Sequence, residues 1–208
     1  MLKDKYTFED LVAIVARLSA PDGCPWDRVQ THESILSSCI EEAYEVLDAV
    51  GRGDRTAIIE ELGDLMLQSV FHADIARREN NFCIDDILYA LCSKLISRHS
   101  HVFGDSVAND AQDSIAVWEA NKDKEKVGQT LQDKLQAIPK NLPALMRATK
   151  VIRKMDKANL ALSKDIQNTA AYSREELEAD LIQIVRRAVA CDLDAEMVLA
   201  SAIDKLIG

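Results

Sequence analysis

The stretch CIEEAYEVLDAV, residues 39 to 50, crowds four carboxylates together: Glu41, Glu42, Glu45 and Asp48. A helix advances about 100° per residue, which confines these four to an arc of roughly 120°. Ile40, Tyr44, Val46, Leu47 and Val50 then face elsewhere. Further on, Glu61 and Asp64 stand three apart and share a helix face, set among Leu62, Leu65, Met66 and Leu67. The intervening GRGD (51–54) can turn one helix back on the other and bring the two acidic pairs face to face. Carboxylates gathered in a partly buried site repel one another, and burying them without partners costs several kcal/mol each. Few basic residues fall on those faces. A divalent cation is the simplest remedy, and all-oxygen ligands suit a hard ion, Mg²⁺ or Mn²⁺. Gly63 in mid-helix fits a place where a neighbouring helix comes close. A merely solvated acidic face is the competing interpretation, and for Glu41 and Asp48 taken alone it is preferred. A di-iron carboxylate bundle would need Glu-x-x-His. None of His32, His72, His99 or His101 has Glu three positions earlier.

Other residues could hold phosphate and base. Lys94 and Arg98 are four apart on a helical segment, and Lys122 follows Trp118 by four. Taken singly these cations read as ordinary surface residues, but beside a metal–carboxylate centre they suit a polyphosphate. Trp118 and Trp26 could stack on a nucleobase, although Trp26, inside the loop APDGCPWD, could equally be a packing plug. His99 and His101 lack the further Cys or His that zinc would need. They are expected to shape the loop or meet phosphate. No Ser/His/Asp or Cys/His arrangement for covalent catalysis stands out.

The elements that must position these groups are helices. Apolar residues make up 48% of the 208, with only 7 Gly and 4 Pro, so a helical core is affordable and disorder is not expected. Helical periodicity marks residues 7–19 (Thr7 as N-cap), 33–50 (Gly51 as terminator), 55–79, 84–98 and 110–126. The third is apolar nearly all round and is expected to be central. The fourth should turn Ile84, Ile87, Leu88, Leu91 and Leu95 inward. RHSHVFGD (98–105) reads as a loop. The expected organisation is a catalytic helical domain over 1–126, a linker over 127–143, and a C-terminal helical region over 144–208. That last region should hold helices near 144–160, 173–190 and 194–207. Residues 176–207 loosely echo 61–96, a weak internal repeat. No segment has strand periodicity.

The net charge of -10 argues against a nucleic-acid partner. Five scattered Cys without a CxxC pair suit reduced thiols. The start of the chain is polar and no apolar run nears the ~20 residues of a membrane span. A soluble, cytoplasmic protein with no membrane partner is expected.

The segments GCPWDRVQTHESI, EEAYEVLDAV, EELGDLMLQSVFHADIA and KLISRHSHVFGD resemble MazG-type nucleoside triphosphate pyrophosphohydrolases. That family's EExxE and ExxD stand here as Glu41-Glu42-x-x-Glu45 and Glu61-x-x-Asp64. VWEANK (117–122) and LQAIPKNLPALMRATKV (135–151) resemble the segments that follow, so the likeness spans about residues 8 to 155. The resemblance implies an all-α bundle completed by dimerisation, as a homodimer or higher homo-oligomer. It implies Mg²⁺-dependent hydrolysis of a nucleoside triphosphate to the monophosphate and pyrophosphate, with an activated water attacking the α-phosphorus. Glu42, Glu45, Glu61 and Asp64 would be the metal ligands, and Glu41 would support them or orient the water. Lys94, Arg98, Trp118 and Lys122 would contact nucleotide.

Two departures stand out. The family's His-Pro-His reads His99-Ser100-His101, so that corner should be less rigid. Residues 144–170 carry only Asp156 and Asp165 as acids, and Leu177 stands where Glu would precede Asp180. One catalytic centre per chain is expected, with a shortened, degenerate C-terminal region that packs or aids assembly. Two alternatives stay open: a deoxynucleotide-specific pyrophosphatase, and a catalytically retired module that senses nucleotide or binds a partner.

Overall fold

The structure, a computed structural model, describes residues 3–125, 127–158 and 172–208. Those residues are helical, without a β-strand among them. The chain divides into two compact units, Met1–Asn121 and Lys122–Gly208.

The first unit begins with α1 (Phe8–Leu18). Thr7 caps it in a reciprocal box with Asp10, as its position before the apolar period predicts. The proline loop follows. Gly23 is required there by close approach, because a Cβ would lie 2.2 Å from the Leu18 carbonyl oxygen and 2.6 Å from that of Arg17. α2 (Leu36–Arg52) starts three residues later than the periodicity suggests. Thr31 and Ser34 exchange side chain–backbone hydrogen bonds in both directions, and this local turn holds the preceding residues out of the helix. Its end also differs from expectation. Gly51 stays helical, and Gly53, at φ 67°, is the left-handed cap. Asp54 at once caps α3 (Arg55–Arg78) through the amides of Thr56 and Ala57. A tight α2–α3 hairpin results.

α3 is central only in its second half. Val70, Phe71, Ala73, Ile75 and Ala76 are buried there, and Val15 of α1 and Ile35 join them in the core. In its first half Ile59, Leu62 and Met66 remain 47–62% exposed. α4 (Ile84–Arg98) has no buried residue. The expected inward set is corrected: Ile84 packs on the core and Ile87 is half-buried, whereas Leu88, Leu91 and Leu95 are 37–44% exposed. Within the expected 98–105 loop lies a one-turn helix, α5 (Ser100–Phe103), and α6 spans Ala111–Lys124.

Three side-chain devices fasten the proline loop to α3. Arg78 donates to the carbonyls of Arg28 and Gln30, and is itself held by the buried Asp74, which also binds Arg77. The Trp26 ring lies 6.2 Å from that of Phe71. The Nδ1 atoms of His32 and His72 are 2.8 Å apart, with Phe82 stacked beyond His32.

The second unit contains α7 (Leu131–Gln136), α8 (Ala144–Lys157), α9 (Arg174–Ala190) and α10 (Ala195–Ile207). The stretch read as a linker holds α7, and Leu135 and Ile138 are buried with Ala144, Val151, Ile203 and Ile207. Arg147 is buried against Asp204, and the Glu196 carboxylate accepts from the Ala144 amide. The predicted repeat has a local counterpart. At the end of α3 the Asn81 amide bonds back to Ala76 around Asn80, φ 54°. At the end of α9 the Leu193 amide bonds back to Ala188 around Asp192, φ 54°. The packing is not repeated: α2 lies on α3, but α8 lies chiefly on α10. Asp165 and the expected continuation of α8 through 159–160 fall outside the described residues.

Candidate functional site

The α2–α3 hairpin brings three predicted ligands together. One carboxylate oxygen from each of Glu42, Glu45 and Glu61 lies within 4.8 Å of the others. Glu42 and Glu61 are half-buried and Glu45 is exposed. Helical spacing explains Glu42 and Glu45, which are three apart. The Gly53–Asp54 turn sets the register that adds Glu61.

The electrostatics are those of crowded carboxylates, with Arg52 acting against them at Glu61. Burial raises the Glu42 carboxyl above its ordinary 4.5, and a hydrogen bond with Glu45 and the charges of Asp64, Glu45 and Glu61 raise it further. Glu61 is raised by burial and then by Glu45, Glu60 and Asp64, against a lowering effect of Arg52. Asp64 is thus a neighbour of the trio, one turn beyond Glu61, and stands outside its tightest set. Glu41 is exposed, and Asp48 faces solvent in an ion pair with Arg52 at 2.6 Å. An all-oxygen donor set, close enough to share one ion, fits a hard divalent cation.

A second group forms where α4, α5 and α6 meet. The Arg98 guanidinium lies over the Trp118 ring, 5.3 Å from its centroid. Lys122 follows one turn later in the same helix, at the head of the second unit. Lys94 is exposed one turn before Arg98. His99 Nδ1 lies 2.7 Å from the Leu95 carbonyl, and its ring is 5.6 Å from that of His101, so both residues belong to this corner. Trp26 is 60% exposed and rests on Phe71. Phe71 is ten residues from Glu61, about 15 Å along α3.

Sequence reasoning missed two participants. Arg52 is near enough to act on Glu61, although nothing in the spacing of GRGD signals it. Asn121 joins α6 to the α4–α5 corner by hydrogen bonds to the Arg98 carbonyl and the Ser100 hydroxyl. Its only signal was its place, three residues after Trp118 on one helix face.

Comparison with known proteins gives a consistent picture. A family model described as the MazG nucleotide pyrophosphohydrolase domain matches residues 30–103, which include the carboxylate trio, Lys94 and Arg98. A nucleoside triphosphate pyrophosphohydrolase of Escherichia coli K12 is 45% identical over 142 residues, covering 68% of this chain and 54% of that protein. The nucleoside triphosphate pyrophosphohydrolase/pyrophosphatase MazG of Thermotoga maritima is 44% identical over 144 residues, covering 69% and 54%. An "uncharacterized 26.1 kDa protein in blaB 3'region" of Streptomyces cacaoi is 36% identical over 195 residues, covering 93% and 76%. The chain therefore spans about half the length of the first two and three quarters of the third.

Proposed function

Because this chain belongs to the MazG nucleotide pyrophosphohydrolase family, we propose that it hydrolyses nucleoside triphosphates to the monophosphate and pyrophosphate, with a divalent cation. The observation that carries this is the trio Glu42, Glu45 and Glu61, one oxygen of each lying within 4.8 Å of the others. These three would hold Mg²⁺ or Mn²⁺, with Asp64 completing the set. A cation there supplies charge neutralisation of the phosphate oxygens and a lowered pKa for water. Glu41, beside the ligands, supports them and orients the attacking water toward the α-phosphorus. Lys94, Arg98 and Lys122 offset charge on the departing pyrophosphate. Trp118, already faced by Arg98, offers a planar surface for the base, and Trp26 offers a second, more exposed one. The substrate and the absence of a membrane-spanning helix among the described residues suit a cytoplasmic setting.

We further propose a homodimer, or a higher homo-oligomer, as the working form. The hairpin that carries the trio leaves Ile40, Tyr44, Leu47, Ile59, Leu62 and Met66 all 47–66% exposed. An apolar surface of that extent around a catalytic centre is a contact surface for a second copy.

The test is pyrophosphate release from a panel of ribo-, deoxy- and modified triphosphates, with Mg²⁺ and with EDTA. Turnover is expected with Mg²⁺ only, and Glu45→Gln and Asp64→Asn should each abolish it while circular dichroism stays helical. Undiminished activity in either variant would overturn the site. Tight nucleotide binding without pyrophosphate release would replace the enzyme with a sensing module. The panel also separates a general pyrophosphohydrolase from a deoxynucleotide-specific one.

A further inference from the structure

We infer that Asn121, acting with Ser100 and Ser106, is a positioning residue that fixes Arg98 against Trp118 for the nucleotide. This rests on the proposed role of Arg98 and Trp118 as nucleotide contacts. An arginine side chain carries about 2 kcal/mol of rotamer entropy. A guanidinium held over a ring therefore needs its backbone anchored to the element that carries the ring. Arg98 is the last residue of α4, so its carbonyl has no acceptor role within that helix. The Asn121 side-chain amide captures it from α6, at 3.3 Å. The same nitrogen lies 2.7 Å from the Ser100 hydroxyl, so its two hydrogens serve two acceptors on either side of the α4–α5 corner. The Ser100 hydroxyl in turn lies 2.8 Å from that of Ser106, and the Ser106 amide donates to the Ser100 carbonyl at 3.2 Å.

Asn121 and Trp118 are three apart on α6 and share a face. Two links thus join α6 to Arg98. One runs through the guanidinium and the ring, 5.3 Å apart, and the other through the amide and the carbonyl. Each limits the freedom of the other. The corner expected to be loose, because Ser100 stands where the resembling family has proline, is tied by hydrogen bonds that proline could not make. Ser100 is the first residue of α5, and His99 before it, at φ -102° and ψ 51°, is outside the α region. A proline is compatible with both positions. The corner can therefore be stiffened in either of two ways.

The experiment has two arms. In steady-state kinetics, Asn121→Ala and Ser100→Ala should each raise KM for the nucleoside triphosphate roughly three- to tenfold, the worth of a net hydrogen bond. The value of kcat should fall by no more than that factor, because Arg98 is still present and the carboxylate trio is untouched. Ser100→Pro should return KM toward that of the parent by stiffening the corner through its ring. In the second arm Trp26→Phe leaves Trp118 as the lone tryptophan. Asn121→Ala in that background should lower its fluorescence anisotropy without nucleotide present. Unchanged anisotropy overturns the inference whether or not the chain turns over triphosphate. A kcat that falls together with KM and melting temperature overturns it too, by showing a general loss of structure. Ser100→Pro behaving like Ser100→Ala removes the positioning role of the corner.

Discussion

Glu42 and Glu61 have folded-state carboxyl pKa values above the ordinary 4.5, chiefly through burial and then through the carboxylates around them. The native chain therefore binds more protons than the unfolded one in this range. A raised carboxyl contributes stability that is fully present below the unfolded value and is lost as pH rises through the folded one. At neutral pH the cluster is a standing repulsion that a bound cation relieves. Mg²⁺ should accordingly raise the melting temperature at pH 7.5 and raise it less at pH 5, where protons already do part of the work. Glu42→Gln should raise the metal-free melting temperature at pH 7.5 and shrink the Mg²⁺ increment. Thermal unfolding with Mg²⁺ and with EDTA at the two pH values measures all four quantities. A melting temperature indifferent to Mg²⁺ at pH 7.5 would leave the trio without its cation.

At the scale of elements, the loop between α1 and α2 is set by close contacts that substitutions can probe. Gly23→Ala drives a methyl into the carbonyls that end α1. The loop should lose about 1–3 kcal/mol, read by urea unfolding. His72, on α3, is held below its ordinary 6.5 by burial and by the neighbouring charge of His32. Its sign is opposite to that of the carboxylates. The native state binds fewer protons, so its contribution is present above about pH 6.5 and is lost as pH falls through the folded value. The carboxylates act in the opposite direction over the same range, so the measured quantity is a difference: from pH 7 to 5 the metal-free melting temperature of His72→Gln should gain on that of the parent. What was legible in the sequence at this scale was local. Thr7 as a cap and the shared face of Glu42 and Glu45 follow from helix period and caps. The choice of Gly53 over Gly51 was not legible, since both glycines suit a terminator and only the register of the hairpin decides. The delayed start of α2 was hidden in a Thr31–Ser34 turn that competes with the helix. Arg52 near Glu61 and Asn121 at the α4–α5 corner depend on contacts across elements, which no period encodes.

At the scale of the molecule, the exposed first half of α3 is the surface that the proposed assembly would cover. Periodicity marks α3 as apolar nearly all round, yet with α2 packed on it Ile59, Leu62 and Met66 remain 47–62% exposed. The apolar pattern predicts burial along all of α3, and the structure shows it only in the second half. If a second copy packs on the exposed first half, the trio of one subunit can meet Arg98 and Trp118 of its partner, and two inactive variants can repair each other. Glu45→Gln lacks a carboxylate and Arg98→Ala lacks the anion contact. Mixed and reassociated, they form heterodimers in which one of two composite sites draws its intact carboxylates from the Arg98→Ala subunit and its intact arginine from the other. Random reassortment makes half the dimers mixed, so activity should recover to about a quarter of the parent's. If each site is built within one chain, every site in the mixture carries a defect and pyrophosphate release stays at the background of the separate variants. Light scattering on the same samples reports whether dimers form at all, which separates a chain that does not associate from one that associates without sharing its site.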